Sequence, residues 1–99
     1  MKHTESYIDS SIKDPEGLPS VVVGFLDDLR KYDKEGEWAM YYGRLDDLCI
    51  LVKDVIADGG MSEKDWEIIV KKYWVHADKI YNKECEAEKN ETSEFINNS

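Results

Sequence analysis

The feature that most constrains this chain is an apolar stripe that continues for about five helical turns between residues 38 and 56. Apolar side chains recur there every three or four residues, the spacing that places them on one face of an α-helix. The stripe consists of Trp38, Tyr41, Tyr42, Leu45, Leu48, Cys49, Val52, Val55 and Ile56. Asp58-Gly59-Gly60 follows, and Gly59 can adopt the left-handed conformation that ends helices. We therefore expect a helix from about residue 37 to residue 58.

A shorter stripe of the same kind precedes it. Its apolar members are Val22, Phe25, Leu26, Leu29 and Tyr32. Ser20 follows Pro19 and is a favourable N-cap, while Gly36 is a favourable terminator. The pattern predicts a first helix over residues 21–34.

A third helix is predicted to begin at Ser62. Ser62-Glu63-Lys64-Asp65 resembles a capping box with Asp in the place of Glu, and Met61 can pack on Trp66 as a hydrophobic staple. The apolar arc then continues to Tyr81. After Lys83 the sequence remains compatible with a helix but loses its apolar face, so the helix should fray.

Three helices joined by short turns, with no strand-like alternation, predict an all-α fold, a three-helix up-down-up bundle. Both prolines lie in residues 1–19, which show no sustained periodicity and are predicted to form an irregular, mobile N-terminal arm. The three-helix domain should span residues 20–85. Residues 86–99 should form a frayed or disordered acidic C-terminal tail.

The negative net charge argues against nucleic acid and membranes as direct partners. The net charge is −9, and residues 37–58 hold five acidic and two basic residues, whereas residues 59–82 hold four of each. Such a chain repels nucleic acid and membrane surfaces and is attracted to basic protein surfaces. No apolar run approaches the length of a membrane span or a signal peptide. We expect a cytoplasmic protein that binds neither nucleic acid nor membrane directly.

The acidic residues of the second helix are predicted to form a row on its solvent side. Asp47, Asp54 and Asp58 share that side with Arg44 and Leu51, and Asp46 flanks them. Glu63 is close by in sequence, across the glycine turn. The predicted partner-binding acidic face is therefore Asp46, Asp47, Asp54, Asp58 and Glu63, although the same residues are also compatible with an ordinary solvated face.

A second candidate surface is apolar. Trp38, Trp66 and Tyr73 are expected in the core, but Ile68, Trp74 and Val75 lie to the side of the third helix's stripe. Exposed aromatic and aliphatic side chains with charged neighbours are typical of protein interfaces. These three residues could bind a partner or form a homodimer.

Catalytic and metal-binding arrangements are poorly supported. His3 and His76 have no positioned partner, the adjacent aspartate pairs point about 100° apart on a helix, and no phosphate-binding loop is present. Residues 54–65 match an EF-hand loop only in part, because Ile56 stands where a ligand is required. A DNA-binding helix-turn-helix would need basic residues where this chain is acidic. We expect no enzyme activity, no cofactor and no metal.

Three segments, residues 42–48, 57–62 and 66–74, resemble small uncharacterised helical proteins carried by phages and mobile elements of Firmicutes. Together they comprise 22 of the 99 residues. The shared pattern is a glycine turn, a serine cap, and then an aromatic residue with a Lys-Tyr ending. The resemblance implies a mobile-element origin. Small acidic proteins of such elements are often stoichiometric inhibitors of host defence, including anti-CRISPR proteins that occupy nucleic-acid channels.

These observations lead to two hypotheses. The first is a non-enzymatic inhibitor, anti-defence or anti-CRISPR-like, whose acidic face docks on the basic surface of a partner protein such as a nucleic-acid-handling enzyme. The second is a helical adaptor or regulatory protein that acts through apolar contacts, as a homodimer or with another protein. Binding that weakens with salt would favour the first hypothesis, and a salt-resistant dimer the second.

Overall fold

The computed structural model describes residues 5–84, and it confirms the all-α bundle. Helix α1 spans Ser20–Glu35 and helix α2 spans Trp38–Ala57. The third helix runs from residue 63 to residue 84 in three parts, namely α3 at Glu63–Ile69, a π-helical segment at Val70–Val75, and α-helical residues 76–84. The described residues contain no strand. The predicted C-terminal tail lies outside the described residues.

The helix ends follow from local sequence. Gly36 and Gly59 have φ of 73° and 79°, so both adopt the left-handed conformation for which glycine is suited. The hydroxyl of Ser62 accepts a 3.1 Å hydrogen bond from the main-chain N–H of Asp65, as predicted. Ser20 differs from the prediction, because Pro19 holds the N-cap position and no side chain caps α1.

The core is formed by one face of each helix together with the N-terminal arm. The stripes predicted for the helices supply most of it. Its buried members are Tyr7, Val22, Leu26, Leu29, Tyr41, Leu45, Leu48, Val52, Met61, Ile69, Tyr73, Ala77 and Ile80. Among residues 5–84, no helix combines the length and apolarity that crossing a membrane requires.

Residues 5–19 are irregular, as predicted, but they are anchored to the bundle. Tyr7 is fully buried, with its ring edge-on to Tyr41 at a centroid distance of 5.6 Å. Its main-chain N–H and the Ser6 hydroxyl donate hydrogen bonds of 2.7 and 2.6 Å to the two carboxylate oxygens of Asp33 in α1. The described part of the arm thus contributes to the core of the bundle.

The π-helical segment of the third helix forms hydrogen bonds with both the arm and α2. The oxygen of Lys72 accepts a 2.9 Å hydrogen bond from the main-chain N–H of Asp9, and the oxygen of Tyr73 accepts a 2.6 Å bond from the hydroxyl of Tyr41. Two successive carbonyls of this segment are therefore bonded by groups from outside the helix. Such wide turns recur where a helix ladder is locally interrupted.

Candidate protein-binding surface

All five residues of the predicted acidic face are exposed. We use the name acidic surface for this set, which consists of Asp46, Asp47, Asp54, Asp58 and Glu63. Within residues 5–84, only Asp47 among them forms an ion pair, in which its carboxylate lies 3.7 Å from a guanidinium nitrogen of Arg44. The carboxylates are thus available to a cationic partner and are not neutralised inside the fold.

Helix geometry explains why α2 presents these acids to solvent. The buried side chains of α2 are Tyr41, Leu45, Leu48 and Val52. At 100° per residue, Asp47 and Asp54 lie on the side opposite to these four. Glu63 lies across the turn, in the first turn of α3, where the positive end of the helix dipole favours a carboxylate.

An exposed isoleucine lies in the middle of the acidic surface. Ile50 is 67% exposed, and Asp46 and Asp54 lie one turn before and one turn after it on the same helix. The helical periodicity of the sequence predicts Leu51 in this face. The structure instead has Leu51 partly buried against the core, so Ile50 is the apolar residue that solvent reaches.

A groove of about 470 Å³ adjoins the acidic surface between α1 and α2. Its lining residues are Tyr32, Ala39, Met40, Gly43, Arg44, Asp46 and Asp47. Gly43 contributes no side chain, and a Cβ atom placed there would meet nothing within 4 Å. Met40 is 52% exposed. The groove therefore has apolar walls with two carboxylates among its lining residues, an arrangement suited to the aliphatic stem and charged head of a lysine or arginine.

Arg44 of α2 binds residues of α1 where the two helices pack together. Its Nε atom donates a 3.0 Å hydrogen bond to Asp28, a second nitrogen lies 2.9 Å from the same carboxylate oxygen, and the guanidinium lies 4.3 Å from the centroid of the Phe25 ring. These contacts hold the cation against α1. Arg44 therefore compensates Asp47 only partly.

The three residues of the apolar candidate differ in accessibility. Trp74 is half-buried and packs against the core, and Ile68 is also half-buried. Val75 is 44% exposed. The patch that solvent reaches is therefore centred on Val75 and is smaller than the predicted one.

A cluster of titratable groups joins the arm to the helices. The carboxylate of Asp14 contacts Arg30 of α1 and accepts a 2.8 Å hydrogen bond from the hydroxyl of Tyr73, and Lys72 Nζ lies 3.0 Å from it. Burial opposes ionisation of Asp14, but the hydrogen bonds from Lys72 and Tyr73 and the charge of Arg30 outweigh it and lower its pKa.

The pKa values of two buried tyrosines are shifted in the opposite direction from that of Asp14. Burial raises the pKa of Tyr41, and burial together with the hydrogen bond to Asp14 raises the pKa of Tyr73. Both phenols therefore stay protonated and act as hydrogen-bond donors. The cluster that includes Asp14 is a structural clamp, since its carboxylate is already engaged by Arg30, Lys72 and Tyr73.

The turn between α2 and the third helix has the geometry of a helix end followed by an N-cap. Asp58 lies at the end of α2, Gly59 is left-handed, and Ser62 caps α3. Within residues 5–84, no three His, Cys, Asp or Glu side chains come together as a metal would require.

No protein-family model, curated protein or solved structure matches this chain.

Proposed function

We propose that this chain is a non-enzymatic binding protein that docks its acidic surface on a basic surface of a partner protein. The observation that carries the proposal is the exposure of Ile50 among three carboxylates of α2 and that of Asp58 at the helix C-cap. Within residues 5–84, only Asp47 of these four forms an ion pair. Protein interfaces commonly combine an apolar centre with a polar rim. The carboxylates would attract and orient a basic partner, and Ile50 and Met40 would supply apolar contact.

The partner chemistry that fits best is a groove built to bind nucleic-acid phosphates. Such a groove is basic, and carboxylates spaced along one helix face can occupy its cation sites. A cytoplasmic inhibitor of a nucleic-acid-handling enzyme, of the kind that mobile elements use against host defence, is the activity that this surface and the resemblance of the sequence favour together.

Charge reversal on α2 tests the proposal. Tagged wild-type protein is used to capture partners from host lysate, in parallel with a variant carrying Asp47→Lys, Asp54→Lys and Asp58→Lys. A control variant carries Glu35→Lys, Glu37→Lys and Glu67→Lys, which changes the net charge equally at exposed acids outside the acidic surface. The proposal predicts that wild type and control capture the same nucleic-acid-binding protein and that the α2 variant does not. Equal capture by all three would contradict it.

A second candidate is a homodimer or adaptor that uses the patch around Val75. The observation that favours it is the exposure of Val75 beside the half-buried Trp74. Light scattering after size exclusion at 50 mM and 500 mM salt tests it. A dimer that persists at both salt concentrations and is lost in Val75→Lys would support this candidate, whereas a monomer at both would exclude the homodimer.

A further inference from the structure

A second concave site lies where the start of α2 meets residues 76–84 of the third helix. It is a depression open to solvent with a volume of about 420 Å³, and small-ligand pockets typically measure about 300–1,000 Å³. Its lining residues are Trp38, Tyr42, Asp78, Tyr81 and Asn82. Three of the five are aromatic and only one carries a charge.

The aromatic rings meet at inclined angles. The centroids of Trp38 and Tyr81 are 5.6 Å apart with planes at 44°, and those of Tyr42 and Tyr81 are 5.7 Å apart with planes at 72°. Neither pair is stacked in parallel, and all three rings line the same depression. Trp38 is 39% exposed, which places part of the indole within reach of a ligand.

The pocket is held in shape by contacts behind it. The hydroxyl of Tyr42 donates a 3.0 Å hydrogen bond to Oδ1 of Asp78, which ties α2 to the third helix. The Tyr42 ring also packs against Tyr41 and Tyr7 at centroid distances of 5.9 and 6.1 Å. A preformed wall binds a ligand without first having to be ordered.

We propose that this pocket binds a methylated ammonium group. The negative faces of aromatic rings attract cations, and recesses of aromatic side chains are the common way in which proteins recognise quaternary ammonium. Asp78 adds a carboxylate at the same site and disfavours an anion. A quaternary ammonium has no N–H group and needs no hydrogen-bond acceptor, whereas a primary ammonium carries three N–H groups and one oxygen of Asp78 already accepts the Tyr42 hydroxyl.

The site is independent of the proposed docking function. Trp38 and Tyr42 project from α2 toward the third helix, whereas the acidic surface lies on the outer side of α2. Loss of either activity would therefore leave the other intact.

Titration of the full chain with choline chloride tests the proposal, with the indole N–H resonance of Trp38 as the readout and sodium chloride as the ionic-strength control. The uncharged isostere 3,3-dimethylbutan-1-ol has the same shape without the charge. We expect a saturable shift with choline, and binding of the isostere at least about fivefold weaker because the cation–π attraction is lost. No saturable shift with choline, or equal binding of the isostere, would overturn the proposal.

Variants assign the effect to the pocket, with calorimetry as the readout. Trp38→Leu and Tyr81→Leu should each weaken choline binding about tenfold, Trp38→Phe should restore most of it, and Asp78→Asn should weaken it about threefold. Trp74→Phe and Asp46→Asn, which alter an indole and a carboxylate outside the pocket, should change it less than twofold. Wild-type affinity in Trp38→Leu would overturn the assignment.

The ammonium could belong to a free small molecule or to a methylated lysine of a protein. A peptide carrying trimethyllysine and its unmethylated counterpart distinguish the two sources. A peptide that binds about tenfold more tightly than choline, only when methylated, would assign the site to a protein ligand. Equal affinity for choline and the methylated peptide would assign it to free quaternary ammonium compounds. Equal binding of both peptides would contradict the preference for methylated ammonium.

Discussion

The hydroxyl of Tyr41 donates a 2.6 Å hydrogen bond to the main-chain oxygen of Tyr73, inside the core and at the centre of the π-helical segment. The preceding carbonyl, that of Lys72, is bonded by the N-terminal arm. The wide turn of the third helix is therefore part of the tertiary structure, because its carbonyls hold both α2 and the arm in place.

Replacement of Tyr41 by phenylalanine removes this buried bond. We expect Tyr41→Phe to lower the free energy of unfolding by about 1–3 kcal/mol, because the Tyr73 oxygen loses its buried donor. Urea titration followed by circular dichroism measures the change. Tyr32→Phe alters a half-buried tyrosine of α1 and should lower the free energy of unfolding by less. Equal effects of the two substitutions would show that the Tyr41 bond contributes little.

The contribution of Asp14 to the free energy of unfolding should also be measurable. Lys72 is only 12% exposed, so Asp14→Asn leaves a largely buried cation without its counter-charge. We expect this substitution to lower the free energy of unfolding at pH 7 by about 1–3 kcal/mol. Asp46→Asn removes an exposed carboxylate and serves as the charge-matched control, with an expected change within about 0.5 kcal/mol.

The contribution of Asp14 should also depend on pH in a defined direction. Its pKa is lower in the folded protein than in the unfolded chain, where it is about 3.9. The stabilisation is therefore fully present above the unfolded pKa and is lost as the pH falls through the folded pKa. Denaturation at a series of pH values should show a constant difference between wild type and Asp14→Asn above about pH 5, and a shrinking one below about pH 4. A difference that grows on acidification would contradict the assignment.

The two serines at helix starts should respond differently to alanine. Ser62 accepts a hydrogen bond from Asp65, so Ser62→Ala should lower the thermal midpoint and cost about 1 kcal/mol. Ser20 makes no capping bond, so Ser20→Ala should leave the midpoint nearly unchanged. If Ser20→Ala lowered the thermal midpoint more than Ser62→Ala, the capping assignment would be wrong.

The parts of the fold that local sequence determines were predictable. The helix ends at Gly36, Gly59 and Ser62 depend on residues within a few positions of one another, and the structure confirms each of them. The apolar stripes likewise predicted most of the core of α1 and α2. These features follow from backbone conformation and helix periodicity alone.

The features that depend on distant contacts were not predictable. The π-helical segment accepts bonds from Asp9 and Tyr41, which are far away in sequence, and nothing within residues 70–75 signals it. Tyr7 is buried, and its own main-chain N–H donates a hydrogen bond to Asp33, which is 26 residues away in sequence. An isolated aromatic residue in an irregular segment carries no periodic pattern from which burial could be inferred.

The acidic surface was predictable except for its apolar centre. One residue along a helix corresponds to a rotation of 100°, so a small error in the position of the buried face exchanges Leu51 for Ile50. The rotation of α2 depends on how α1 and the third helix pack against it. The recess formed by Trp38, Tyr42 and Tyr81 was missed for a related reason, since it depends on the register between α2 and the third helix.

The exposure of Ile50 predicts that it contributes to binding and not to folding. Ile50→Ser should change the free energy of unfolding by less than about 0.5 kcal/mol, because its side chain is already in water. Leu48→Ala, at a fully buried position two residues earlier, should cost about 2–5 kcal/mol. Chemical denaturation compares the two. If Ile50→Ser proved as destabilising as Leu48→Ala, Ile50 would have to be a core residue.

Competition with nucleic acid for a captured partner tests the docking of the acidic surface most directly. A labelled oligonucleotide bound to the purified partner is titrated with wild-type chain, with the Asp47/Asp54/Asp58 lysine variant, and with the Glu35/Glu37/Glu67 lysine variant, and fluorescence anisotropy is followed. If the acidic surface occupies the nucleic-acid site, wild type and the second variant displace the oligonucleotide at stoichiometric concentration and the first variant fails to do so. Simultaneous binding of oligonucleotide and wild-type chain to the partner would contradict it.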